Sequence, residues 1–248
     1  MKKRLVSMFV ITAMVTAMFT GCGTKNDDTL IVGTNAAFAP YEYMDGNKVV
    51  GIDMDISQAI ADSMGKKLEI KNMEFDAALL ATQKGTVDFV AAGVSVNAKR
   101  QEKMDFSDDY VNSTEIVIVN KENPAVTNAT AEAMEDKIIA VQTGNIADIW
   151  VDNNIKSKEM KRYSQFSQAA QDLKNRKIDC IVMDKIPAQD LVAANPELSI
   201  LNGTLFEDKY AIAVKKGNKK MLDEINKVIR QLKESKKIDE FTAKHANK

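Results

Sequence analysis

Short apolar strands alternate with amphipathic helical runs along most of this chain, and that alternation limits the fold more than any other feature. Leu30-Ile31-Val32-Gly33 reads as a strand, Ile52 to Met64 as a helix, Lys67 to Lys71 as a strand and Asp76 to Lys84 as a helix. Val87 to Ala92 is a third strand. Beyond Met104 the order repeats, with a strand at Lys137 to Val141 and helices at Ile146 to Asn153 and Gln165 to Asn175. Alternation of this kind predicts an α/β fold with mostly parallel sheets.

The repetition extends to single residues. Gln83-Lys84-Gly85-Thr86-Val87-Asp88-Phe89-Val90 parallels Lys174-Asn175-Arg176-Lys177-Ile178-Asp179-Cys180-Ile181. Each has a helix end, a polar turn, then an aliphatic-Asp-apolar-aliphatic strand. Two lobes of similar plan are the natural reading, although helix–turn–strand junctions resemble one another in many folds. Thr114 to Asn120 and Lys209 to Val214 are β-rich and read as crossings between the lobes. The first lobe is then discontinuous, 29–113 and 211–248, with 114–210 as the second. The run Lys219 to Ser235 carries Leu222, Ile225, Val228, Ile229 and Leu232 on one face, a core stripe expected to seal the first lobe. Asn123 to Asp136 reads as a polar loop.

The start of the chain has the form of an export signal. Met1-Lys2-Lys3-Arg4 is basic, and Leu5 to Phe19 is apolar but short for a membrane span. Thr20-Gly21-Cys22 follows and resembles the lipobox of bacterial lipoproteins, with Phe19 where Leu is usual. The expectation is a signal peptide over 1–21, lipid on Cys22, and a flexible spacer over 22–28; an ordinary cleaved signal with an incidental cysteine is the alternative. Removing 1–21 takes Lys+Arg from 34 to 31 against 35 Asp+Glu, about −4 overall. That balance argues against a nucleic-acid partner, which would call for a basic face. With Cys22 lipidated, Cys180 is alone in an apolar strand and reads as a buried structural thiol. The one histidine, His245, lies in a Lys-rich tail without cysteines nearby, so no metal site is expected.

Polar and aromatic residues gather where the strands end, which is where open α/β sheets bind ligands. Asn35, Phe38 and Glu42 follow the first strand; Gly93, Ser95 and Arg100 follow the third. Gln142, Asn145 and Ile146 follow the first strand of the second lobe, and Asp184 ends its aliphatic run.

Gly51-Ile52-Asp53-Met54-Asp55-Ile56 opens a helix with two carboxylates in its first turn, where the macrodipole favours negative charge, and Gly65 can stop it. This segment, Gly93-Val94-Ser95 with Arg100, and Asp105-Phe106-Ser107-Asp108 with Tyr110 are similar in order and spacing to the family 3 bacterial extracellular solute-binding proteins. These deliver polar amino acids to ABC importers. The resemblance covers nearly the whole mature chain. It implies a two-lobed periplasmic-binding-protein-like fold (type II), joined by two hinge strands and closing on its ligand. It also implies no catalysis, no cofactor, an ABC permease as membrane partner and a monomeric chain.

A free amino acid carries a carboxylate and an ammonium on one carbon. A guanidinium grips a carboxylate through parallel bonds, which makes Arg100 its expected anchor. Backbone N–H groups of Ser95, Asn145 and Ile146 are further candidate donors. Asp184 would neutralise the ammonium, helped by the Gly93 carbonyl and the Ser95 hydroxyl, with Phe38 and Phe75 flanking the aliphatic stem. Each residue has a plainer alternative: Arg100 paired with Glu102 or Asp105, Asp184 capping a helix near Pro187, both rings as core. Relatives that bind basic or amide side chains often have Asp at the position of Asn35. With Asn35 and Gln142 uncharged, the expectation leans to a neutral polar side chain such as glutamine; arginine or lysine stays open. A dehydratase-like enzyme on the same scaffold is the remote alternative, with only carboxylates, Lys or Tyr left for proton transfer. A sensory or adhesive use of the lobes also stays open.

Overall fold

The computed structural model describes residues 28–246; the expected signal peptide, Cys22 and the spacer up to residue 27 lie outside the described residues. The first part of the chain forms β1 (Thr29–Thr34), β2 (Ala37–Phe38), β3 (Glu42–Asp45), β4 (Lys48–Val50), α1 (Ile52–Ser63), β5 (Lys67–Asn72) and α2 (Phe75–Lys84). It continues through β6 (Phe89–Val90), α3 (Ala98–Gln101) and β7 (Met104–Phe106). The second part forms β8 (Val111–Asn120), β9 (Ile138–Gln142), α4 (Ile146–Asn154), β10 (Glu159–Tyr163), α5 (Phe166–Lys174) and β11 (Cys180–Asp184). Then come α6 (Lys185–Ala193), β12 (Leu198–Ile200) and β13 (Phe206–Tyr210), followed by β14 (Ala213–Lys215), α7 (Lys219–Glu234) and α8 (Lys237–His245).

Two sheets flanked by helices make the two lobes. The first has strand order β5-β1-β6-β14-β7; the second is β10-β9-β11-β8-β12, with β13 also on β8. Pairing is parallel where β1 meets β5 and β6, and where β9 meets β10 and β11. It turns antiparallel where β14 enters the first sheet and where β8 joins the second. A small antiparallel sheet, β2-β3-β4, lies beside the first. The run Lys209 to Val214 is two strands, not one. β13 ends at Tyr210 on β8, and β14 begins at Ala213 in the other sheet. Between them the ladder changes partner: the Ile212 N–H donates to Ser107 Oγ and the Ser107 N–H to the Ile212 carbonyl, at 3.0 and 2.9 Å.

The repeated junction has a shared structural job. Asp88 accepts the Ile31 N–H at 2.8 Å, and Asp179 accepts the Ile138 N–H at 2.7 Å. Each carboxylate therefore latches the first parallel strand of its own sheet to the strand it precedes. The third strand is shorter than its aliphatic run, but Asp88 and Ala91 on either side still bond Ile31 and Gly33 of β1.

α1 begins at Gly51 because no other residue fits there. Its φ is 135°, and a Cβ would lie 2.1 Å from the Tyr41 carbonyl oxygen. The helix ends in a Schellman arrangement: Lys66 N–H bonds Ala61 O, Gly65 N–H bonds Asp62 O, and Gly65 has φ 64°. α7 buries Ile225, Val228, Ile229 and Leu232 against the first lobe's core, each contributing about 1.5–3 kcal/mol. α8 follows as an unanticipated element and docks on α1 through His245. That ring meets Tyr43 Oη through Nδ1 and Asp55 Oδ2 through Nε2, both at 2.9 Å. Cys180 is fully buried on β11, and burial raises its thiol pKa, as an inert structural cysteine requires.

Candidate functional site

Nine of the ten candidate residues, all but Arg100, line one crevice between the lobes. Glu42 and Ala92 line it too. Strand ends set this up: Asn35 follows β1, Phe38 ends β2, Gly93 and Ser95 follow β6, Gln142 ends β9, and Asp184 ends β11. The crevice is nearly shut, with a cavity volume of about 10 Å³ for a water-sized sphere. That is room for about one water, so a larger guest enters only when the lobes part.

Arg100 stands at the edge of this crevice and is almost wholly buried, 6% exposed. α3 holds its backbone, with the Asn97 side chain accepting the Arg100 N–H at 2.9 Å. The guanidinium donates to the Ser95 carbonyl at 2.5 Å and, across the gap, to the Gly144 carbonyl at 2.9 Å. It also lies 5.5 Å from the centre of the Phe75 ring. Neither alternative partner is engaged; Asp105 pairs with Lys216 instead. Burial lowers the guanidinium pKa to about 10, opposed by Asp208 and Asp184, so it stays charged at neutral pH. Two of its five N–H donors are occupied by these carbonyls, which leaves donors for an incoming anion.

Two further contacts cross the gap. Gln142 Nε2 donates to Asn35 Oδ1 at 3.0 Å, while Asn35 Nδ2 donates to the Met73 carbonyl at 2.9 Å. The Phe38 and Phe166 rings stack with centroids 6.2 Å apart. Gly93 lets Phe38 come this close to the backbone: its φ is 55°, and a Cβ would lie 3.0 Å from Phe38 Cε1.

The expected backbone donors differ in availability. The Asn145 N–H is occupied by the Gln142 carbonyl at 3.2 Å, and the Asn145 side chain caps α4 by accepting the Asp148 N–H. Ile146 is the first residue of α4, where the N–H has no acceptor within the helix. Ser95 bridges Tyr210, but Val96 and Ala211 supply the N–H groups of that bridge, so it leaves the Ser95 N–H free.

Carboxylates stand on both sides of the crevice. Asp184 accepts from Ser113 Oγ at 2.5 Å and from the Tyr210 hydroxyl. It occupies the N-cap position of α6, but its side chain makes no capping bond. Burial raises its pKa, while the two hydroxyls favour the charged form. Behind Gly93, the buried Asp53 accepts the Gly93 N–H at 2.9 Å and the Tyr110 hydroxyl at 2.7 Å. Burial moves Asp53 up to about 6. Glu42 beside it is pushed well above the usual carboxylate range, first by burial and then by Asp53, and its Oε2 has no hydrogen-bond partner. Sequence reasoning placed Glu42 among the polar residues after the first strand but missed Asp53 as the clamp on Gly93. The helix-opening pattern around Asp53 was the available signal.

A crevice roofed by one lobe and floored by the other, with a guanidinium at its edge and a carboxylate opposite, defines a two-lobed solute-capture protein. The chain belongs to the bacterial extracellular solute-binding proteins, family 3, whose model matches residues 30–248. It is 25% identical to the arginine-binding extracellular protein ArtP of Bacillus subtilis, over 98% of both chains. A mutant of ArgBP from T. maritima superposes with a TM-score of 0.83 at 33% identity, covering 89% of this chain and 96% of that one. An ancestral arginine-binding protein bound to glutamine gives 0.82 at 34% identity, over 90% of this chain and 100% of the other. The protein is thus an extracytoplasmic amino-acid-binding component of an ABC importer, not an enzyme.

Proposed function

We propose that this protein captures a polar L-amino acid, with glutamine the favoured side chain, by gripping its two backbone charges between the lobes. Arg100 takes the carboxylate with its remaining N–H groups, helped by the Ser95 and Ile146 N–H groups. Asp184 takes the ammonium, with the Gly93 carbonyl and Ser95 hydroxyl beside it. Phe38 and Phe75 flank the stem, and Asn35 and Gln142 meet the side-chain end. The observation that carries this reading is the bond from Arg100 to Gly144: the anion anchor is already part of the contact that holds the lobes shut. Closure is favoured because only the closed state engages both ligand charges.

The neutral preference rests on the Asn35–Gln142 amide pair and on a Glu42 carboxyl held protonated by its surroundings. The second reading, a basic side chain, is favoured by the unpartnered Glu42 Oε2, which a ligand cation would satisfy. Relatives with arginine in their names support it too. A thermal-shift panel of the twenty amino acids separates the two, since bound ligand stabilises the folded state by mass action. A larger shift with arginine or lysine than with glutamine would replace the first reading by the second. No shift with any amino acid would remove both.

Lobe bounds of 29–113 with 211–248, and of 114–210, belong to the same proposal, supported by the change of sheet between β13 and β14. So do a signal peptide over 1–21, a lipid on Cys22 anchoring a monomeric chain to the membrane, and a spacer ending at 28. Cys22→Ala releasing the exported protein from the membrane fraction is the expected outcome; retention would contradict the anchor.

A further inference from the structure

Beneath the crevice, three carboxylates from three neighbouring strands converge. Glu115 on β8, Asp184 on β11 and Asp208 on β13 each bring an oxygen within 4.8 Å of the others. Register and pleat explain it. Glu115 is the Cα partner of both Asp184 and Phe206, and Ser113, two residues away, is the partner of Asp208. Residues two apart share a face, so Ser113, Glu115, Asp208 and Tyr210 all turn towards Asp184.

The three acids are not alike. Asp184 lines the crevice and receives two hydroxyl donors. Glu115 is fully buried, and neither of its oxygens has a hydrogen-bond partner. Asp208 borders a groove on the outer side with Ser113 and Lys209, yet both of its carboxylate oxygens are buried and, like those of Glu115, have no hydrogen-bond partner. Three carboxylates this close cannot all be ionised, and the buried, unpartnered oxygens of Glu115 and Asp208 are the natural seats for a proton.

We infer that amino-acid capture releases a proton: the ligand ammonium, on reaching Asp184, displaces a proton that Glu115, Asp184 and Asp208 share below the crevice. The inference rests on Asp184 being the ammonium anchor. The proton leaves the carboxylate cluster for solvent, and no other bond changes. The charged and titratable groups facing the cluster fit this direction. Arg100 is the facing cation, Tyr41 and Tyr210 stay neutral, Glu42 across the crevice is itself pushed up by burial, Asp53 and Asp184, and the buried residues of α5 and α6 are apolar. Burial and the two neighbouring acids push Glu115 well up, and Asp208 rises to about 6. A positive charge beside Asp184 lowers all three, so the bound state holds fewer protons than the free state. Affinity therefore falls as pH drops through about 6.

The test is calorimetric titration of the whole exported protein with L-glutamine and with L-arginine, in buffers of different protonation enthalpy. Near pH 5.5, binding of whichever amino acid is taken up should release about 0.5–1 proton, a count that neither ligand supplies there. The double variant Glu115→Gln, Asp208→Asn should release close to none, with circular dichroism and the thermal melt verifying that it is folded. If it is unfolded, each single variant is read instead, and each should release less than the wild type. Fewer than about 0.2 proton from the wild type, or an unchanged count in the folded variants, overturns the coupling while leaving the ammonium assignment standing. Failure of every amino acid in a full panel to bind overturns both.

Discussion

Replacing Arg100 by alanine should weaken ligand binding at least about a hundredfold, and the structure says where that loss arises. The guanidinium makes two charge-assisted bonds to backbone carbonyls, and the one to Gly144 joins the two lobes. Such a bond contributes about 1.5–3 kcal/mol net, so losing it alone shifts the closing equilibrium about tenfold to a hundredfold towards open. Loss of the grip on the ligand carboxylate adds a comparable amount. The truncation also leaves the Ser95 and Gly144 carbonyls short of a donor, which a single relaxed water in the vacated space can partly repair. Arg100→Lys keeps the charge but not the fork and should fall between wild type and alanine. Isothermal calorimetry gives the dissociation constants, with urea midpoints to verify that the fold survives. A dissociation constant within threefold of wild type in a folded Arg100→Ala would refute the reasoning.

Three other outcomes follow from the packing. Gly51→Ala should lower the melting temperature by several degrees, because its Cβ would meet the Tyr41 carbonyl at 2.1 Å in a conformation that disfavours side chains. His245→Ala should cost about 1–3 kcal/mol in urea unfolding, by losing the Tyr43 and Asp55 bonds that dock α8 on the first lobe; an unchanged midpoint would show α8 to be dispensable. Asp53 titrates near 6 when folded against 3.8 ordinarily, so the native state binds more protons between those values. Its stabilising contribution is complete below the ordinary value and is lost as pH rises through about 6. The stability difference between wild type and Asp53→Asn should therefore change by about 1–3 kcal/mol between pH 4 and pH 6.5, and a pH-independent difference would contradict the raised value.

Periodicity and junction chemistry made much of the frame readable in advance. The helices from Ile52, Asp76, Ile146 and Lys219 start within a residue of expectation because glycine stops, caps and apolar stripes act locally. Elements that depend on distant partners were not readable. The aliphatic run Lys209 to Val214 hides its break, since nothing local reveals that Ser107 captures Ile212. α3 and the β2-β3-β4 sheet are too short to carry a period. Glu115 lies inside a run that reads only as a β-rich crossing, yet it is fully buried because three strands bring acids to one face. For the candidate site, position at strand ends together with the family resemblance gathered nine residues around one crevice. The partners of Arg100 were beyond reach, because Gly144 lies 44 residues away on the facing lobe.

Editing the ligand shows whether both charges of one zwitterion are held across the gap. Calorimetry should compare the best-bound amino acid with its N-acetyl derivative and its carboxamide, each lacking one charge. Each derivative should bind at least about tenfold more weakly than the parent. Equal affinity for either derivative would mean that the charge it lacks is not clamped, and the account would fail there.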